Sequence, residues 1–205
     1  MLTNLTIKDF MSTLASDSPV PGGGSVAAMC GAAASSLIAM VAALTVEKKG
    51  YEEAWDEMTV IKSKAEMLAD EFLSSVDEDA DSYAKVIDCY KMPKNTDDEK
   101  QRRSAAIQKA IIEAALLPLS VAERAVILFD YAKTVVDKGN KNAASDGAVG
   151  AVMARSCVLG ALYNVRINAD LIKDETVKKE LLNKAERLEK EAISREQEVL
   201  TMLSF

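Results

Sequence analysis

Histidine is missing from all 205 positions, which removes Ser-His, Cys-His and His-metal chemistry at a stroke. Any proton that moves must be carried by Asp, Glu, Lys, Tyr or Cys. Cysteine is scarce: Cys30, Cys89 and Cys157 are far apart and never spaced C-x-x-C. They read as buried thiols of a reducing, cytoplasmic compartment rather than as a disulfide frame. Aromatic residues make up only 5% of the chain, and Val, Ile and aromatics nowhere alternate with polar residues for long, which argues against a sheet. Cations are outnumbered, 25 to 32, and the net charge of -7 disfavours a protein built to neutralise nucleic-acid phosphate. The first 17 residues carry Lys8, Asp9 and Asp17 and lack an apolar core with a small-residue cleavage site, so no secretory signal is expected.

Ala, Leu, Glu, Lys and Met dominate what is present, and they predict an all-α protein, an antiparallel bundle of long helices. No linker or repeat divides the chain, so residues 1–205 are expected to form one domain. Thr6 and Asp9 resemble a capping box opening a short helix that ends before Pro19. A second helix is predicted over 25–49, stopped by Gly50, with Lys48 and Lys49 at its negative end. Residues 25–46 carry no charge and are long enough to span a bilayer. They are mostly weakly apolar Ala, Gly, Ser and Met, with no second span and no aromatic belt elsewhere, so a buried central helix and no membrane association are expected.

Apolar residues at three- and four-residue steps predict a third helix over 52–92, ended by Pro93. Thr96 and Glu99 form the next capping box, opening a helix that should kink or break at Pro118 before continuing over 119–138. A helix over 144–172 and a charged one opened by Asp174 and ending near Leu203 complete the chain. Two helices are unusually bare. Gly24, Ala28, Ala32 and Ser36 fall four apart, as do Gly31, Ser35, Ala39 and Ala43, and Gly147, Gly150, Ala151, Ala154, Gly160 and Ala161 give a similar surface. Close packing of these two helices, or packing across a two-fold axis, would bury them, and a homodimer is expected.

Several places offer chemistry. Gly22, Gly23, Gly24 and Ser25 precede a helix whose free N–H groups can receive an anion or a carbonyl oxygen; alternatively the segment is a tight turn with Ser25 as cap. No Gly-Lys-Ser/Thr follows, so it is not a Walker loop. Asn142, Ser145 and Asp146 lie in a polar loop entering a nearly uncharged helix, where Ser145 or Asp146 can also act simply as a cap. Asn164 and Asn168 share a face of that helix and can be ligand hooks or core hydrogen-bonding groups. Asp146 and Asn164 lie about 27 Å apart along it, so one small reacting centre cannot touch both from one chain. If the two bare helices pack antiparallel, the glycine turn meets Asn164 and Asn168, while Lys48 and Lys49 meet Asn142 and Asp146 at the far end. In the acidic run 77–81, otherwise a solvated face, Asp79 borders the apolar stripe, where partial burial would raise its pKa. Lys91, Lys94, Arg102 and Arg103 gather cations suited to a carboxylate tail, or to solubility alone.

In order along the chain, Pro21-Gly22-Gly23-Gly24-Ser25-Val26-Ala27-Ala28, Lys48-Lys49-Gly50-Tyr51-Glu52, Asp79 in its acidic run, Tyr90-Lys91-Met92-Pro93, Gly139-Asn140 with Asn142, Ser145-Asp146 and Asn164-Val165 with Asn168 resemble the cyclodeaminase/cyclohydrolase family of folate metabolism. The resemblance implies a helical homodimer acting on one-carbon units that bridge N5 and N10 of tetrahydrofolate. Its members are formiminotetrahydrofolate cyclodeaminases, which release ammonia, or methenyltetrahydrofolate cyclohydrolases, which add water to give the 10-formyl form. It implies catalytic roles for Asp146 and Asp79, with Lys49 as acid or electrostatic partner. The glycine turn, Ser25, Asn142, Ser145, Asn164 and Asn168 would hold substrate, and no metal and no cofactor beyond the folate itself would be needed. Since no transferase domain is fused, a stand-alone cyclohydrolase is expected. Cyclodeaminase is the alternative, and a non-catalytic folate-binding helical dimer is the reading from another class.

Overall fold

A computed structural model describes residues 1–203. Among them are six α-helices: α1 (Ile7–Leu14), α2 (Gly23–Ala43), α3 (Trp55–Lys91), α4 (Asp97–Lys138), α5 (Ala144–Ala169) and α6 (Glu175–Leu200). Three of them start on side chains legible in the sequence. The Thr6 hydroxyl accepts the Asp9 N–H at 3.1 Å. Thr96 and Glu99 exchange reciprocal bonds at 3.2 and 3.1 Å, and the Asp174 carboxylate accepts the Thr176 and Val177 N–H groups at 2.9 and 3.2 Å. Each such cap is worth about 1 kcal/mol to its helix.

The two bare helices, α2 and α5, pack antiparallel at the centre. A β-carbon on Gly160 would lie 3.1 Å from that of Ala27, and one on Gly150 would lie 3.2 Å from the Ile38 side chain, so the absence of side chains sets the approach of the two backbones. Both helices are long and apolar enough to cross a membrane by composition. The sequence reading recognised only the first, because the charged Lys141 and Asp146 mask the start of the second. In the fold half or more of the most apolar stretch of each is buried against its neighbours.

On its other side α2 meets α3, again antiparallel. Gly31 lies under the fully buried Phe72 ring, where a β-carbon would come within 2.6 Å of Cδ1. Gly31→Ala should therefore destabilise the fold by about 1–3 kcal/mol despite alanine's better helix propensity, seen as a lower denaturation midpoint at unchanged m-value. Helices α3 and α4 form a long hairpin, fastened by Lys138 to Glu57 at 2.8 Å and by Arg124 to Glu71 at 3.3 Å. Helix α6 lies along α4 and α5.

The largest departures from the sequence expectation are at the end of α2 and at Pro118. Helix α2 ends at Ala43, not near Lys49. The Thr45 hydroxyl bonds back to the Val41 carbonyl at 2.7 Å and accepts the Asn140 N–H at 2.9 Å, while Glu47 (φ 60) and Gly50 (φ 92) turn the chain through left-handed conformations. Lys48 and Lys49 thus belong to a turn, not a helix end. The Lys48 carbonyl accepts the indole N–H of Trp55 at 3.2 Å. Pro118 neither breaks nor ends its helix: α4 runs through it.

Candidate active site

At the N-terminus of α2 the chain offers backbone N–H groups with no side-chain cap: the N-cap is Gly22, and no side chain bonds there. Ser25 is accordingly not the cap. It sits in the first turn, fully buried, and its hydroxyl donates to the Asp79 carboxylate at 2.8 Å. Asp79 arrives from the middle of α3, and Gly24 makes the meeting possible, since a β-carbon there would lie 2.0 Å from Asp79 Oδ1. The glycine run is explained in part by this close approach. Burial pushes the Asp79 carboxyl above the ordinary carboxylate range, against the opposing pull of the Ser25 hydroxyl and backbone N–H. The positive end of α2 stands beside it.

Asn164 and Asn168 come from the last turns of α5. Asn164 Nδ2 donates to the Gly160 carbonyl and Asn168 Nδ2 to the Ala114 carbonyl, both at 2.9 Å. Each amide therefore spends a donor on the protein and keeps its Oδ1, to which no described residue donates, as an acceptor for a ligand. With Gly22, Gly23, Gly24 and Asp79 they line a cleft of about 380 Å³. Its apolar wall includes Tyr83, Val86, Ile87 and Tyr90 of α3, Ala114 of α4, and Ile167 and Leu171. Sequence reasoning missed this apolar wall as part of the site. Asp79, Tyr83, Val86 and Tyr90 recur at helical spacing and so share the Asp79 face of α3, a signal that was available. An ionisable carboxyl, two acceptor amides and exposed rings beside one another suit a flat heterocycle rich in N–H groups.

Four other residues singled out in the sequence do not reach this cleft. Asn142, Ser145 and Lys49 are exposed and Asp146 is half-buried, all towards the opposite end of the α2–α5 pair, about 30 Å away along helices of this length. Neither Ser145 nor Asp146 caps α5, whose N-cap is Ala143 without a side-chain bond. Asn140 is the buried polar side chain of that loop. It accepts the Asn142 N–H at 3.2 Å and closes the turn. A larger depression of about 660 Å³ at that end is walled by Glu52, Glu53 and Glu57, with Lys138 already paired to Glu57. Its carboxylates would repel an acidic ligand.

The cysteines are all free. Only Cys157 is buried; Cys30 and Cys89 are half-exposed, short of the burial expected from sequence. Burial pushes the Cys30 and Cys157 thiols up, so neither is a ready nucleophile.

Residues 6–187 match the profile of the formiminotransferase-cyclodeaminase family. A methenyltetrahydrofolate cyclohydrolase of Methylorubrum extorquens is 36% identical over 94% of this chain and 92% of its own length. The formimidoyltransferase-cyclodeaminase of Gallus gallus is 32% identical over 95% of this chain, which spans only 36% of that longer protein. The crystal structure of a formiminotetrahydrofolate cyclodeaminase from Thermotoga maritima superposes with a TM-score of 0.88 at 32% identity, covering 99% of this chain and 98% of that one. Likeness of this extent, in sequence and in helical architecture, makes the chain a member of the enzyme family of formiminotetrahydrofolate cyclodeaminases and methenyltetrahydrofolate cyclohydrolases.

Proposed function

We propose that the chain is a formiminotetrahydrofolate cyclodeaminase whose pteridine binds in the cleft between α2, α3 and α5. The observation that carries the reading is Asp79, a carboxyl with a raised pKa at the positive end of α2, flanked by amide acceptors and apolar walls. The names of the Thermotoga structure and of the longer relatives weigh towards the deaminase, against the cyclohydrolase expected from sequence. The Methylorubrum relative supports hydrolysis as the second reading.

In the forward reaction N10 attacks the carbon of the formimino group on N5, whose imino nitrogen is protonated and takes the C=N electron pair, and a tetrahedral carbon forms. The N10 proton passes to the Asp79 carboxylate. The resulting acid hands it to the departing amino group, which leaves as ammonia. Asp79 ends ionised beside the newly formed methenyl cation and stabilises it. A carboxyl with a raised pKa is better matched to this exchange than a solvent-exposed aspartate. The same carboxylate can take a proton from water in the hydrolytic reaction. Asn164 and Asn168 accept N–H groups of the pteridine. Arg103 stacks on Tyr90 at 5.6 Å and donates to its carbonyl at 2.9 Å. No described carboxylate pairs with it, unlike Lys91 and Arg102, and its contact with Tyr90 of the cleft wall makes it the cation best placed to collect the glutamate tail.

The assay is direct. Ammonia release from 5-formiminotetrahydrofolate with growth of methenyl absorbance is the expected result. Hydrolysis of 5,10-methenyltetrahydrofolate above its spontaneous rate, without ammonia release from the formimino substrate, would replace it by the second reading. Tight folate binding without either turnover would leave a binding dimer.

The exposed face of α5 supports a homodimer. Val149, Val152 and Tyr163 stand out to solvent at 49%, 39% and 62% exposure, and with Ser156 and Leu159 they alternate three and four apart, the spacing of a helix–helix seam. Two such faces related by a two-fold axis near the helix midpoint run antiparallel. That arrangement would carry Asp146 and Lys49 of one protomer towards the cleft of the other and reunite the two groups that a single chain separates. Mixing inactive Asp79→Asn and Asp146→Asn proteins should then restore up to about a quarter of the native rate, because half the sites in mixed dimers are intact. A monomer in light scattering, or no recovery on mixing, would refute the shared site.

A further inference from the structure

Helix α4 contains Pro118 deep in its interior, and the helix continues through it. A proline has no N–H to donate to the carbonyl four residues earlier, and its ring crowds that carbonyl away from the axis. The carbonyl concerned is that of Ala114, a residue of the cleft wall. It is occupied by a partner from another helix: Asn168 Nδ2 donates to it at 2.9 Å. The same helix also grips the segment that follows α5. Gln108 donates to the Leu171 carbonyl at 3.2 Å and accepts the Lys173 N–H at 2.8 Å.

An asparagine amide can turn over about its last side-chain bond, exchanging a donor for an acceptor at nearly the same positions. A carbonyl oxygen in front of one end removes that freedom, because only the NH2 end can face it. We propose that Pro118 is a positioning residue of the cleft. By leaving the Ala114 carbonyl without a helical donor, it holds the Asn168 amide in the orientation that offers Oδ1 to an N–H edge of the ligand. With a residue that carries an N–H at 118, the Ala114 carbonyl takes its ordinary helical bond, and the Asn168 amide is free to present either end. The inference rests on the reading of the cleft as the pteridine site and adds the group that sets its hydrogen-bond polarity.

Pro118→Ala tests it, since alanine is the stronger helix former and the variant is expected to fold. For the folate substrate, KM should rise about tenfold with kcat within about twofold, the pattern of lost ground-state binding. Asn168→Ala should do the same, and the double variant should be no worse than either single one. An unchanged KM in Pro118→Ala, or losses that multiply in the double variant, overturns the proposal. Exchange of the Asn168 side-chain NH2 protons, read by NMR without substrate, separates this claim from the functional one. The proposal requires them to be protected in the native protein and released in Pro118→Ala, and equal exchange in the two proteins overturns it even if turnover is found. Absence of both turnovers in the native protein removes the functional reading, and the exchange result then decides the positioning alone.

Discussion

Asp79→Asn is expected to lower turnover by about a thousandfold, the scale on which general acid–base catalysis is lost, while leaving the fold intact. The substitution keeps the shape of the side chain and can keep an oxygen facing the Ser25 hydroxyl, 2.8 Å away in the native protein, but it cannot take the N10 proton. The pH dependence has a definite sign. Turnover needs Asp79 ionised, so the native rate should fall as pH drops through its pKa. Because burial raises that pKa, the acid limb should lie at higher pH than an exposed aspartate gives.

Stability runs the other way. A carboxyl with a raised folded pKa binds more protons folded than unfolded between the two values, so its ionisation costs stability as pH rises through that window. At neutral pH Asp79→Asn should melt at or above the native temperature, and the difference should shrink below the unfolded carboxyl pKa. A variant that loses turnover and melts lower at neutral pH would mean that Asp79 serves the fold instead. One that keeps native turnover would remove Asp79 from the mechanism.

Gly24→Ala should be nearly as damaging by a different route. Its β-carbon would lie 2.0 Å from Oδ1 and 2.6 Å from Cγ of Asp79, distances that no rotation of so short a side chain absorbs without leaving Ser25. Displacement of a proton-transferring group by an ångström costs about a hundredfold or more, and that loss in kcat is expected here. Helix propensity changes in the variant's favour, so circular dichroism should show the helices retained. Gly23→Ala is the control, since its β-carbon would meet only Asn164 Nδ2 at 3.5 Å, an ordinary contact. If both variants are equally active, the close approach at Gly24 has no catalytic consequence.

These two positions also mark what sequence alone can reveal. Periodicity announced α3, uncharged runs of small residues announced α2 and α5, and Thr6, Thr96 and Asp174 announced three helix starts, because capping is settled within four residues. The small residues of α2 and α5 allowed close packing with each other or across a two-fold axis, and the antiparallel pairing found in the fold places the glycine turn beside Asn164 and Asn168. Interactions between distant segments were not legible. Asp79 and Gly24 are 55 residues apart by number, and nothing local signals that a missing β-carbon makes room for a carboxylate. Pro118 reads as a break until Asn168 is seen at the Ala114 carbonyl. The early end of α2 depends on Thr45 reaching Asn140, again a long-range bond. Asp146 and Lys49 illustrate the converse: each is prominent in its own segment, yet the chain places both at the end away from the cleft.

The position of Trp55 has an optical consequence. It is the one tryptophan in the chain, and its indole is anchored to the Lys48 carbonyl at 3.2 Å, so intrinsic emission reports on the turn that carries Lys49. Within a single protomer that fluorophore is remote from a pteridine in the cleft. In a two-fold pair that shares its sites, the partner's chromophore comes to lie nearer than the protomer's own. Quenching by energy transfer that strengthens with protein concentration would register assembly and ligand occupancy together, without any label.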